Sequence, residues 1–146
     1  MARLNPNYNQ TITFYNCLKG ADNPATAKVD VWYKRVLPDC FFKAATQQVS
    51  SGINSQMGGA YVARIPASLL YKPYKEWVAL SAATRGNFFT IHNDDVVILG
   101  SSSETVSSVA GNTAPQVVAR NKPNAFKVTA TSENNSGIEP HYRLGG

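Results

Sequence analysis

The sequence predicts a mainly β protein, a partly open antiparallel β-barrel or sandwich with one or two short helices and long loops. Apolar and polar residues alternate with a period of two along most of the chain, the pattern of strands with one face on a core. Clusters of Gly, Pro, Asn and Asp separate these stretches and are typical of turns. A chain of 146 residues suits one hydrophobic core. We therefore expect a single β-rich domain over residues 1–146.

The first third of the chain predicts two strands and a bend. Residues 11–18 alternate apolar and polar side chains and predict the first strand. Turn-forming residues follow at 19–25, and residues 28–34 alternate again as a second strand. Pro38 lacks the N–H that a central strand needs, so we expect a bend or bulge there.

The middle of the chain predicts a long loop and a short helix. Residues 47–60 are polar and glycine-rich without a period, which we interpret as a long hairpin loop between strands. Alternation resumes from residue 61 and ends at Pro66. Pro73 fits the first turn of a helix, so one or two helical turns are predicted over residues 73–82.

The remainder predicts more strands and a second long loop. Residues 88–92 and 96–99 are predicted strands around a turn. Residues 101–113 are low in charge and bulk and predict a loop. The last predicted elements are a helix at 114–120, opened by proline, and a closing pair of strands at 126–130 and 138–144.

The charge pattern favours no dedicated nucleic-acid site. The formal net charge is +5, from 14 Lys and Arg against 9 Asp and Glu. The cations are scattered singly, and no Lys/Arg-rich run of the kind that marks a nucleic-acid patch is present. We expect no more than weak electrostatic tolerance of DNA passing nearby.

The cysteines and the apolar pattern indicate a reducing compartment and no membrane partner. Cys17 and Cys40 are too far apart for a CxxC motif and lie in apolar stretches, so buried reduced thiols are expected. The start of the chain has no apolar signal region, and no stretch approaches the ~18 apolar residues of a membrane span. We expect synthesis in a reducing cytosol.

No catalytic, cofactor-binding or metal site is predicted. His92, Asp94 and Asp95 form the one metal-like set, but adjacent Asp residues on a turn point apart in most conformations. No serine lies in a nucleophile-elbow context. The glycines at 58–59 lead into a strand rather than the helix that a phosphate site needs. We therefore expect a protein that is not an enzyme.

Large side chains are the candidates for contacts between subunits. Tyr71, Tyr74 and Trp77 either pack a core under the short helix or anchor a subunit interface. Trp32 is out of phase with its neighbours, so it either contacts another subunit or packs beneath a helix or loop of its own chain. The candidates within the predicted loop 47–60 are Ile53, Gln56 and Met57.

Several stretches resemble a family of small head-completion or head-to-tail connector proteins, stopper-like structural proteins of siphophages and prophages. They are residues 11–15, 32–37, the strand containing Ile65-Pro66, residues 94–100 and residues 126–146. Members of that family favour a Gly-Asp pair before the Val-Ile strand, where this chain has Asp94-Asp95. The difference changes the turn more than the framework.

The resemblance implies a virion structural protein of the neck. It implies a homo-oligomeric ring, six- or twelve-fold, between portal-adaptor proteins and a tail terminator or tail tube. Such a ring helps close the DNA channel, and phage DNA passes its lumen without sequence-specific binding. The alternatives are a tail terminator or other tail-tube subunit, and a small non-enzymatic binding module.

Overall fold

The computed structural model describes residues 8–22, 30–51, 54–134 and 140–146, and within them the chain is mainly β. Seven antiparallel strands form one curled half-barrel sheet with three short α-helices, so the predicted fold class is confirmed. The strands are β1 Gln10–Leu18, β2 Val31–Ser51, β3 Asn54–Pro66, β4 Val96–Leu99, β5 Ala125–Lys127, β6 Ala130–Asn134 and β7 His141–Gly145. The helices are α1 Tyr74–Ala79, α2 Ala82–Arg85 and α3 Ala114–Asn121.

The strand order β5-β4-β1-β2-β3-β7-β6 explains why the sheet curls. Its two end strands, β5 and β6, are consecutive in the chain and are joined only by Val128 and Thr129. The Val128 N–H donates to Asp95 on the β4 side (2.8 Å), and the Thr129 N–H donates to Gly145 of β7 (2.8 Å). This two-residue link therefore draws the two ends of the sheet together.

A bend in β2 divides the sheet into two halves. Residues 31–40 of β2 pair with β1, whereas the residues from Phe41 onward pair with β3. Between them Pro38 is followed by Asp39 with φ +57°, which confirms the bend predicted at this proline. We call β5, β4, β1 and the first part of β2 sheet A, and the second part of β2 with β3, β7 and β6 sheet B.

The inner core fills the concave side between the two halves. The residue pattern follows the strand period of two, because alternate side chains point to the same face. The core members are Ile12, Phe14, Cys40, Phe42, Ala63, Ile65, Phe89, Ile91, Val97, Phe126, Val128, Tyr142 and Leu144. Both cysteines are free and buried, and burial raises the pKa of each thiol to about 12.

A second apolar layer covers the outer face of sheet A. Helix α3 and the loop at 101–113 pack there, so both faces of β4 are buried. The members are Tyr15, Val96, Ile98, Val106, Ala114, Val117, Val118 and Ala125. The loop is tied to the helix by Glu104, whose two carboxylate oxygens each accept from the Arg120 guanidinium at 2.8 Å.

Two predicted elements are wrong. Residues 47–51 and 54–60 are strands instead of a loop, because β2 and β3 pair continuously from Phe41–Arg64 to Ser51–Asn54. A strand ladder is made by main-chain groups, so polar side chains without a period can still form it. Residues 88–92 are not a strand, apart from one bridge between Tyr71 and Phe89.

The segment 88–92 is held by a side chain in place of a neighbouring strand. The Asn16 amide donates to the carbonyl of Thr90 (2.5 Å) and accepts from the Thr90 N–H (3.2 Å). Buried main-chain groups need partners, and here one amide satisfies both.

Candidate assembly surface

The distal part of the β2–β3 hairpin extends beyond the rest of the sheet. Pairing of β1 with β2 ends at Gln10–Cys40, and pairing of β7 with β3 ends where Gly146 exchanges hydrogen bonds with Tyr61 (2.9 and 3.1 Å). From Ala45–Ala60 outward, β2 and β3 pair only with each other among the described strands. We call residues 45–60 the arm. Seven paired positions give it a length of about 20 Å.

Among the described strands, neither edge of the arm has a partner. A two-stranded ribbon of this kind is marginally stable in water, and its edges leave main-chain groups unpaired. Such edges are templates for contact with another chain. The arm is therefore the feature of this fold that most needs a partner surface.

Of the three contact residues predicted in this region, the structure describes the strand positions of two. Gln56 and Met57 lie on the arm, in the β3 strand, paired with Val49 and Gln48. Ile53 lies outside the described residues.

The aromatic candidates are engaged within their own chain. Trp32 is half-buried against the second apolar layer, as expected of packing beneath a helix or loop. Tyr71 packs on the inner core, with its ring centroid 4.3 Å from that of Tyr142. Tyr74 stacks on His92 at 4.0 Å and donates its hydroxyl to Asp22 (2.8 Å).

Trp77 is fully buried within its own chain, the environment expected under the alternative of core packing. Its ring meets the Tyr33 ring edge-on at 5.3 Å, and the guanidinium of Arg85 lies 5.7 Å from it. A side chain with no exposed area cannot reach a neighbouring subunit without local unfolding.

Arg85 is a buried cation that the sequence did not single out. Its guanidinium donates to the carbonyls of Trp77 (3.1 Å), Val78 (2.8 Å) and Leu80, and to the Tyr33 hydroxyl (3.0 Å). These carbonyls end α1, where main-chain acceptors lack intrahelical donors and a positive charge is favourable. Arg85 thus fixes α1 to β2. A lone Arg after a short helix gives no sequence signal for this role.

The two adjacent aspartates point apart, as expected from the turn. Asp95 is fully buried, and its carboxylate accepts from the N–H groups of Cys17 (2.8 Å) and His92 (2.9 Å) and from the Asn16 amide (3.0 Å). Burial raises the pKa of Asp95, while the three donors act in the opposite direction. Asp95 therefore ties the end of β1 to the turn before β4.

Asp94 instead faces solvent at the rim of a cleft. It has φ +80° and accepts from the ammonium groups of Lys19 (2.7 Å) and Lys127 (3.1 Å). The hydrogen bond from Lys19, followed by that from Lys127, lowers the pKa of Asp94. Across the described part of the chain, no three His, Cys, Asp or Glu side chains converge to hold a metal ion.

The cleft beside Asp94 has a volume of about 380 Å³ and lies at the start of α3. Its walls include Trp32, Ser107, Ser108, Thr113 and Pro115. Its lining includes two lysines, Lys19 and Lys127, and two aspartates, Asp30 and Asp94, so the cleft presents a mixed surface without an excess of either charge.

A second exposed feature is apolar. Leu69 is 96% exposed and Leu70 is 42% exposed, in the turn between β3 and α1. The turn is closed by the Tyr71 N–H, which donates to the Ser68 carbonyl, and by the Leu70 N–H, which donates to the Ser68 hydroxyl. Adjacent exposed leucines on a fixed turn are a candidate for contact with a partner.

Comparison with known proteins places the chain in a family. The family model of DUF6751, a family of unknown function, matches residues 7–146. The chain belongs to this family. The match to DUF6751 spans both halves of the sheet and the arm. No curated protein matches the chain, and neither does a solved structure. None of the helices in the described ranges is long and apolar enough to cross a membrane.

Proposed function

We propose that the chain is a structural subunit of a tailed-phage neck, forming a ring that links the portal-adaptor proteins to the tail and helps close the DNA channel. The observation that carries the proposal is the arm, a ribbon of about 20 Å that its own sheet leaves without support. The resemblance of residues 11–15, 32–37 and 126–146 to connector proteins supports the choice of assembly.

The fold combines a rigid body with a projecting contact element. The body is rigid because the sheet curls, its ends are joined by two residues, and apolar layers cover the concave face and the outer face of sheet A. An arm on one side that contacts a different surface of the next copy makes a head-to-tail interface. Such an interface closes into a ring when the rotation between copies divides a full turn.

The arm also supplies a means of closing a channel. Arms from six or twelve copies that point toward a common axis narrow the lumen, and small rotations of the bodies move their tips. This mechanism is mechanical and needs no catalytic residue. Phage DNA passes such a lumen without sequence-specific contacts.

A tail terminator or other tail-tube subunit is the second candidate, and one observation favours it. Residues 31–40 of β2 pair with β1 but have no described strand on their other side. Tail-tube subunits that join their sheets edge to edge would use such an open edge.

Electron microscopy of lysates from a phage with an early nonsense codon in this gene tests the proposal. A connector subunit predicts DNA-filled heads that leak or stay unjoined beside normal tails, because packaging and tail assembly proceed separately. Closed, full heads with absent or aberrant tails would favour the tail-tube candidate. Intact infectious particles would contradict both.

A further inference from the structure

The outward face of sheet B carries three cations. The inner core takes Phe42, Ala63 and Tyr142, so the residues between them point away from the core. On that outward face Arg64 pairs with Arg143 across β3 and β7, and Lys43 lies on β2. We call Lys43, Arg64 and Arg143 the cationic face. Strand spacing makes it roughly 10 Å across.

The cations of this face have no anionic partners among the residues that the structure describes. Three other described cations do have carboxylate partners: Lys19 and Lys127 pair with Asp94, and Arg120 pairs with Glu104. In contrast, the Nε of Arg64 is buried and lacks a hydrogen-bond partner. A buried donor left without an acceptor is costly.

The position of Arg64 beside Arg143 is unfavourable for the isolated chain. The two are direct cross-strand partners, and like charges at such positions destabilise a sheet. Two described carboxylates of these strands lie elsewhere: Asp39 is at the bend of β2, and Glu133 interacts with Tyr71 on the inner side. An arrangement that costs stability indicates an external anion.

The cationic face is suited to contacts with the phosphate groups of a nucleic acid rather than to stacking on its bases. Phe41 lies on this face beside Arg64, whose guanidinium is 5.3 Å from its ring centroid, and the ring of His141 is in contact with Tyr8. Both rings are thus occupied, and neither is a free platform for stacking an unpaired base. Lys43 and Arg143 are exposed and free to contact a backbone.

We propose that the cationic face binds the phosphate backbone of duplex DNA without sequence preference. Duplex DNA is the partner chosen because it carries the densest regular array of phosphates, and phosphate contacts carry no sequence information. The proposal goes beyond the neck assignment and does not depend on it, because it rests on the composition of sheet B alone.

Fluorescence anisotropy of a labelled random-sequence duplex, titrated with the full-length protein, tests this proposal. Three phosphate contacts predict a slope of log K against log salt of about −3, a fall of roughly 40-fold between 50 and 200 mM salt. The variant Lys43→Gln/Arg64→Gln/Arg143→Gln should lose this slope. It should fold as well as the unmodified chain, because it removes repulsion, and thermal unfolding checks this.

The matched control is Lys34→Gln/Lys75→Gln/Lys122→Gln, which removes the same charge from exposed positions elsewhere. It should retain the slope within about one unit. An equal loss of the salt-dependence slope in both variants would overturn the proposal. So would the absence of duplex binding by the unmodified protein at low salt. Binding of polyglutamate as tight as that of the duplex would overturn it in favour of an acidic protein partner. The assay uses purified protein, so its result is separate from whether the chain lies in the neck.

Discussion

Replacing Asp95 with alanine is expected to lower the free energy of unfolding by about 3–5 kcal/mol. The change removes the acceptor for the N–H groups of Cys17 and His92 and for the Asn16 amide, all in a fully buried site. Each unsatisfied buried donor costs about 1–3 kcal/mol, and partial rearrangement reduces the sum. Since domains have a total stability of about 5–15 kcal/mol, the melting temperature should fall by about 10 °C or more.

The adjacent residue provides a matched control. Asp94→Asn tolerates the positive φ and removes only half-exposed ion pairs, so it should cost at most about 1 kcal/mol. Asp95→Asn keeps one acceptor oxygen, so its loss of unfolding free energy should lie between those of Asp94→Asn and Asp95→Ala. Chemical unfolding of the three variants measures the order of their free energies of unfolding. Equal losses for Asp94→Asn and Asp95→Ala would show that the buried carboxylate does not hold the turn to β1.

Removing the arm is expected to abolish assembly while leaving the body folded. The variant joins Ala45 to Ala60 through Asn-Gly, the preferred two-residue hairpin turn, in place of residues 46–59. Beyond Ala45–Ala60 the two strands pair only with each other among the described strands, so the melting temperature should change by only a few degrees. Supplied in trans to a phage that lacks the gene, the variant should fail to enter particles and should not restore plaque formation.

A control variant keeps the length and strand pairing of the arm and changes only two of its side chains. Ser50 and Ser55 are cross-strand partners, and changing both to threonine keeps the length and favours the strand. This control should enter particles normally. Recovery of an arm-less chain in infectious particles would contradict the role of the arm.

The sequence predicted the sheet wherever one face of a strand meets the core. Alternation revealed β1, the second half of β3, and Tyr142 and Leu144 of β7, because those side chains are sorted by burial. The bend after Pro38 was predictable because proline removes a main-chain donor. The arm was missed because its sequence does not alternate, whereas a strand ladder is made by main-chain groups.

The surfaces were less predictable than the fold. Lys43, Arg64 and Arg143 are far apart in sequence, and only the pairing of β2, β3 and β7 brings them to one face. The interpretation of the cations as scattered was therefore correct along the chain but did not describe the folded surface. The roles of Arg85 and Asp95 depend on main-chain groups of distant segments, which single-residue patterns do not encode.

Locating the chain in the assembled virion tests the central claim most directly. A short epitope inserted after Val109 lies in the exposed part of the loop at 101–113 and avoids the C-terminal Gly146, which packs closely against Phe126. Electron microscopy with a gold-labelled antibody on infectious particles should place label at the junction between head and tail. Label along the tail tube, over the capsid surface, or absent from particles that contain all other structural proteins would contradict the assignment to the neck.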